Sequence, residues 1–314
     1  MARCRARGRG MSGDGAPALS LVIAALDSGP VIMDTLAALE RQRTPELELV
    51  VVDASRDDTA GRVRARFPWV RVVEAPSARS LPKLRGLGMA ETTGPVVGVL
   101  DAWCLPGTGW VAAAIRVHRE LPHLVVGGGV DLDDSERRSI TAWATYLFDY
   151  WEFVPPVRPG IVGALPGNNI TYKRSALPDA ATLRREGFWK AFTNVRLQKS
   201  GHRLWCSPGL AVRLRRRLGL GRFLRSRFHH GRSYGAMRVR GASLAVRLKW
   251  AAVTPALPAL FLGRQVRGLA GKPGARAWFV VCVPFLVAFH LSWAWGELCG
   301  YLAGPGRSDD AIQS

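Results

Sequence analysis

The chain has 314 residues, 48% of them hydrophobic, enough to bury one large core with an appendage. Its net charge of +20 is regional: Gly187 to Gly296 holds 20 Lys or Arg and no Asp or Glu, whereas residues 1–186 hold 23 basic and 21 acidic side chains. These bases flank apolar segments instead of forming a stripe with stacking aromatics, which argues against nucleic acid as a partner, and the five scattered cysteines (Cys4, Cys104, Cys206, Cys282, Cys299) have no spacing suited to a zinc site or a disulfide framework.

Residues 1–18 are basic and Gly-rich without the apolar run of a signal peptide, and read as a disordered start with Met11 as a second candidate initiator. The cysteine pattern suits a reducing compartment. Residues 19–25 (LSLVIAA) predict a first strand, 31–42 an amphipathic helix and 47–55 (LELVVVDAS) a second strand. A helix over 59–67, N-capped by Asp57 or Asp58, precedes a third strand over 70–75, and a helix over 81–92 closes at Gly94. The fourth strand, 95–101 (PVVGVLD), is followed by a helix over 107–121. Strands alternating with helices predict an α/β fold whose parallel sheet is covered on both faces. The second and fourth strands reach their C-terminal ends at Asp53 and Asp101, where such folds present ligand-binding groups.

The C-terminal third changes character. Trp278 to Leu302 runs 25 residues with Glu297 as its single charge, long enough to span a hydrocarbon core. Trp250 to Leu262 has 13 residues and reaches only about 20 Å as a helix, which predicts an interfacial or re-entrant placement. Arg264, Arg267, Lys272 and Arg276 precede the long segment and place that flank, with the domain before it, on the cytoplasmic face of a membrane by the positive-inside rule. From Arg203 to Lys249, 13 basic residues interleave with Trp205, Phe223, Phe228 and Tyr234, a pattern suited to anionic membrane lipids. The predicted organisation is a core domain over 19–240, membrane-associated helices over 241–303 and a flexible tail over 304–314.

Three stretches in order, VVDASRDDTAGRV (51–63), VVGVLDAWCLPGTGWV (96–111) and LPGNNITYKRSAL (165–177), together with SLPKLRGLGMAETTG, resemble the core of glycosyltransferase family 2 over roughly residues 19 to 240. The resemblance implies a GT-A fold, a Rossmann-like sandwich that binds a nucleoside-diphosphate sugar. By residue, it implies that Asp53 and Ser55, assisted by Asp27, grip the base and ribose, with Arg85 as a cation near the nucleotide. Asn168 and Asn169 resemble the acceptor-side turn, and RFLRSRFHHGRSYGAMR resembles an element closing over the diphosphate, with His229, His230 and Arg232 as partners of the leaving group. Asp101 matches the first acid of the family's metal-binding cluster, which holds Mg²⁺ or Mn²⁺, but Ala102 and Trp103 follow it where further acids are usual. Lys190 stands about where relatives carry the general base. Glu186 is the nearest carboxylate and the candidate catalytic partner of Asp101, with Asp131, Asp149 and Glu152 as alternatives. The implied function is a membrane-associated enzyme moving a sugar from a nucleotide-sugar donor to a lipid-linked or polysaccharide acceptor of the cell envelope, with inversion. The missing acids leave open a non-catalytic relative that keeps the fold and serves as a membrane scaffold.

Overall fold

The computed structural model describes residues 16–308 except Arg79 and Arg217. The predicted disordered start therefore lies almost wholly outside the described residues, as do residues 309–314 of the predicted tail. Strands β1 (Leu19–Ala25), β2 (Leu47–Asp53), β3 (Arg71–Glu74) and β4 (Val96–Asp101) alternate with helices α1 (Gly29–Glu40), α2 (Thr59–Arg66) and α3 (Leu81–Ala90). Every residue of β1 and β4 is buried, the signature of strands covered on both faces. β1 pairs in parallel with β2 on one side and β4 on the other, with Ala25 opposite Asp53 and Ala24 opposite Asp101. That register sets the two carboxylates at one edge, flanking the end of β1.

Beyond β4 the chain forms β5 (Cys104–Pro106), α4 (Trp110–Glu120), β6 (Val125–Gly127), β7 (Val130–Leu132), α5 (Ile140–Tyr150), β8 (Gly160–Val162) and β9 (Asn169–Lys173). Helices α6 (Ala180–Glu186) and α7 (Lys190–Lys199) and strands β10 (Leu204–Cys206) and β11 (Val212–Leu214) follow. The main sheet has eight strands in the order β3-β2-β1-β4-β9-β6-β10-β8, and β5-β11-β7 form a second, three-stranded sheet. A wholly parallel sheet, expected from the alternating pattern, is not found: β3-β2-β1-β4 run parallel and so do β6 and β10, but an antiparallel strand joins the two blocks. β9 runs antiparallel to both β4 and β6, because the chain enters β9 at the end where β4 finishes: Asn168 lies beside Asp101, whose N–H donates to the Asn168 carbonyl at 3.3 Å. The small sheet brings β11 back in the same way, with Arg215 N–H donating to the Trp103 carbonyl at 2.9 Å.

Four helices complete the molecule: α8 (Leu220–Arg238), α9 (Leu244–Val253), α10 (Leu257–Gly268) and α11 (Pro273–Ala303). Residues 244–268 form a nearly continuous helical run of 25 residues, broken only by a single turn at Thr254–Ala256. This run is nearly twice the apolar segment visible in the sequence, because Leu244, Val246 and Leu248 extend its exposed apolar face beyond the basic residues that interrupt them. It pairs with α11, and both runs are long and apolar enough to cross a membrane. One face of α11 (Ala275, Phe279, Cys282, Leu286 and Phe289) belongs to the same core as the sheet, while Val280, Val281, Leu291, Trp295 and Leu302 are exposed.

α8 and α11 carry reciprocal glycine pairs, Gly231 with Gly235 and Gly296 with Gly300. Each glycine faces backbone of the other helix so closely that a Cβ would collide with it, the small-residue contact that lets helix axes approach. Glu297, an acid inside an apolar helix, is satisfied there: it accepts from Trp293 Nε1 and Tyr301 Oη, each at 2.5 Å, with Arg238 of α8 at 3.5 Å. The start of the predicted tail is also held, since Arg232 Nε donates to the Gly304 carbonyl at 3.0 Å and Ser308 Oγ lies 3.0 Å from His229 Nδ1.

Candidate active site

Asp53, Ser55 and Asp27 meet at the ends of β1 and β2. Ser55 Oγ donates to Asp53 Oδ1 at 2.6 Å and accepts the Asp27 N–H at 2.9 Å, while Ser55 N–H adds a 3.2 Å bond to the same carboxylate oxygen. Asp27 adopts a left-handed backbone with φ 51°, and its Oδ1 accepts from Arg56 N–H at 2.9 Å. Burial raises the Asp53 carboxyl above its ordinary value, and its bonds to Ser55 oppose that rise.

Asp101 is 3% exposed, and its Oδ1 accepts from Arg85 of α3 at 2.5 Å. Ala102 and Trp103, at the positions where further acids are usual, are packed into the core. Among the described residues no group of three or more His, Cys, Asp or Glu could hold a metal. A lone carboxylate already engaged by a guanidinium does not fit a protein-built Mg²⁺ or Mn²⁺ centre, which needs converging oxygens.

Next to Asp101 opens a cavity of about 370 Å³, walled by α3, the end of α5, the Gly167–Asn168 turn, the start of α7, Arg216 and the inward faces of α8, α10 and α11. Arg85, Lys190, Arg216 and Arg227 line it against two carboxylates, Asp101 and Asp149. Asp149 bridges Arg216 and Arg227 at 2.7 Å each. Burial pushes its carboxyl up, but the two guanidinium groups outweigh that and hold it below the ordinary range. Lys190 donates to the Leu165 carbonyl at 3.0 Å, and burial with Arg85 nearby lowers its ammonium to about 8. His230 is pulled down to about 3 by burial and by Arg227, so it is neutral at pH 7. The Nε atoms of Arg85, Arg216 and Arg227 and Oδ1 of Asn168 are buried without a hydrogen-bond partner among the described residues. An unpaired buried donor costs about 1–3 kcal/mol, and three such donors beside one cavity are suited to an anion.

The predicted site residues divide on this geometry. Asp101, Arg85, Asn168 and His230 line the cavity, while Asp27, Asp53 and Ser55 form the neighbouring cluster. Asn169 packs inside the sheet junction, donating to the Gly129 and Leu210 carbonyls and accepting from Trp110 Nε1. Glu186 ends α6 with an exposed side chain paired to Arg185, and lines a different groove beside Lys83 and Arg196. His229 and Arg232 point to the Gly304–Ser308 turn, because on α8 they sit on the side away from His230. Of the alternative bases, Asp131 pairs with Arg137 and Glu152 with Arg264, and only Asp149 reaches the cavity. Lys190 lies about where the resemblance implies a base. The pairing of Asp149 with Arg216 and Arg227 had no local signal, since its members come from three separated segments.

The Rossmann-like arrangement of β1 to β4, with carboxylates at the ends of β2 and β4 beside a cavity, defines a GT-A glycosyltransferase. The family model described as glycosyl transferase family 2 matches residues 20–179, and the chain belongs to that family. No curated protein matches in sequence. Among solved structures, the chain is similar to a mannosyltransferase from Pyrobaculum calidifontis in complex with GDP-Man and Mn²⁺, at 20% identity and TM-score 0.54 over 90% of this chain and 88% of that one. It also matches Staphylococcus aureus TarS with UDP-GlcNAc (16% identity, TM-score 0.48, 64% of this chain, 59% of that one). Glucosyl-3-phosphoglycerate synthase from Mycobacterium tuberculosis matches at 16% identity and TM-score 0.46, over 67% of this chain and 75% of that one.

Proposed function

We propose that this glycosyltransferase is membrane-attached, with a catalytic domain over residues 19–240 at the cytoplasmic face and attachment through residues 241–303. The donor is a nucleotide sugar whose nucleoside is gripped by Asp53, Ser55 and Asp27, with its diphosphate near Arg85 and Asp101. The sugar passes to a lipid-linked acceptor entering the 370 Å³ cavity. The observation that carries this reading is that α10 and α11 wall the cavity on one side and expose apolar residues on the other. Single displacement with inversion is supported by the ion pairing of both cavity carboxylates, which leaves neither free as a covalent nucleophile. The similar structure bound to GDP-Man makes nucleotide sugars the donor class to test.

The test is a thermal-shift titration of the detergent-purified chain with UDP-, GDP- and dTDP-sugars, with Mg²⁺ or with chelator. A ligand at 100 times its Kd adds about 2.7 kcal/mol of stability. One nucleotide should shift the protein, the shift should vanish in Asp53→Ala, and chelator should leave it in place. Absence of a shift with every nucleotide overturns the donor assignment, and its loss on chelation overturns a metal-free diphosphate site.

A further inference from the structure

We infer that the acceptor nucleophile is the phosphate of an amphiphilic phosphate monoester, its head held by Lys190, Arg216 and Arg227 and its apolar chain leaving past Phe261 and Trp293. The inference rests on the donor reading above and names the acceptor class for the same site.

Charge is the first ground. Four cations face two carboxylates in the cavity, a surplus of two positive charges that a phosphate monoester, close to a dianion at pH 7, would cancel. Donor geometry is the second. Arg216 and Arg227 are 5% and 4% exposed, yet each has a buried Nε–H without a partner among the described residues, and guanidinium groups suit phosphate oxygens. Asp149 holds the other edges of both groups, which orients them without neutralising the pair.

The third ground is the base. A hydroxyl acceptor must lose its proton, and that needs a carboxylate or imidazole within reach. Of the groups that line the cavity, Asp101 and Asp149 are ion-paired, Lys190 is a cation, and His230 is lowered to about 3 and is too weak a base to take a hydroxyl proton. His290 packs against Phe148 and Phe261 with its Nε2 on Gln265 Oε1, while Glu186 lies in another groove. A phosphate oxygen is already ionised and needs cations instead. It attacks C1 of the donor sugar, the bond from C1 to the diphosphate oxygen breaks, and the nucleoside diphosphate leaves with the electron pair. A dianion and the donor diphosphate thus become a glycosyl phosphodiester and a free nucleoside diphosphate, with charge conserved and no proton moved.

The fourth ground selects a lipid over free phosphate. The cavity lining includes four aromatic side chains, Phe148, Trp151, Phe261 and Trp293, and Leu260 and Leu291, next in sequence to lining residues Phe261 and His290, are 52% and 54% exposed. An alkyl chain anchored at the cations can therefore pass from the cavity to the apolar outer face of α10 and α11.

The test measures binding of dodecyl phosphate, dodecanol and inorganic phosphate to the full chain in neutral detergent, alongside the donor nucleotide. Dodecyl phosphate should bind at least about tenfold tighter than either control, the worth of one charge-assisted hydrogen bond. Lys190→Gln and Arg227→Gln should each weaken it about tenfold while leaving nucleotide binding in place. If Arg227→Gln fails to fold, Lys190→Gln, whose ammonium bonds only the Leu165 carbonyl among the described residues, carries the test. Equal binding of dodecanol overturns the cationic cradle, and equal binding of inorganic phosphate overturns the lipid source. Nucleotide binding without phosphate binding overturns this inference alone, whereas loss of both overturns the donor reading as well.

Discussion

Replacing Gly235 by Ala tests the contact that joins the catalytic domain to its apolar helix. The added methyl would meet the Glu297 carbonyl oxygen at 2.6 Å, where ordinary contact begins near 3.4 Å, so α8 and α11 must part by about 0.8 Å. Neither obstacle is a flexible side chain; the methyl also meets Glu297 Cα at 3.1 Å. Overpacking of this kind costs about 1–3 kcal/mol, which at roughly 2–4 °C per kcal/mol lowers Tm by roughly 2–12 °C. Sugar transfer should fall as well, because α8 carries Arg227, His230 and Tyr234 into the cavity and α11 carries Trp293. Gly296→Ala, whose methyl would meet Arg232 N at 2.9 Å, should behave alike. Gly263→Ala on α10 is the control: nothing lies within 4 Å of its Cβ position, and the better helix propensity of Ala should leave stability unchanged or raise it by up to about 1 kcal/mol. Thermal unfolding in detergent reads all three. If Gly235→Ala and Gly263→Ala give the same Tm, the close backbone packing of α8 on α11 is refuted.

Two further outcomes are expected. Asp149→Asn leaves Arg216 and Arg227 facing each other without a carboxylate, and breaking a buried pair in this way costs about 3–5 kcal/mol; an unchanged denaturation midpoint would show that the two arginines do not depend on it. Acid should destabilise the fold between pH 6.5 and 4, because burial holds His118 at about 4 and His230 at about 3. Both lie below the unfolded value, so the unfolded chain takes up protons first, and stability complete above pH 6.5 falls by about 1.4 kcal/mol per pH unit for each group as pH drops. Asp53, raised above 3.8, acts in the opposite sense at the acid end. His118→Gln should make the slope shallower in a Tm series from pH 7.5 to 5, and an unaltered slope would exclude His118 as a source.

The order β1 to β4 was legible in the sequence because fully buried strands are continuous apolar runs with helices of ordinary length between them. Asp53 and Asp101 could be picked out for the same reason: a carboxylate ending such a run has a defined place, and the pairing of both strands with β1 brings the two to one edge. The antiparallel entry of β9 was not legible, since a five-residue strand carries no mark of its direction. The glycine pairs at 231 and 235 and at 296 and 300 have the spacing of a helix contact, but only their mutual facing makes them one.

The cavity belongs to the tertiary structure alone. Asp149, Lys190, Arg216 and Arg227 are separated by 41, 26 and 11 positions in the chain, and no local pattern relates a carboxylate on α5 to guanidinium groups after β11 and on α8. His229, His230 and Arg232 looked equivalent in the sequence, yet a helix turns about 100° per residue and only His230 faces inward. The sequence by itself determined the strand and helix order, the carboxylate positions and the apolar C-terminal segments, because these depend on local periodicity. Which charges share one cavity and which of them lack partners depends on how distant segments pack, and only the fold decided it.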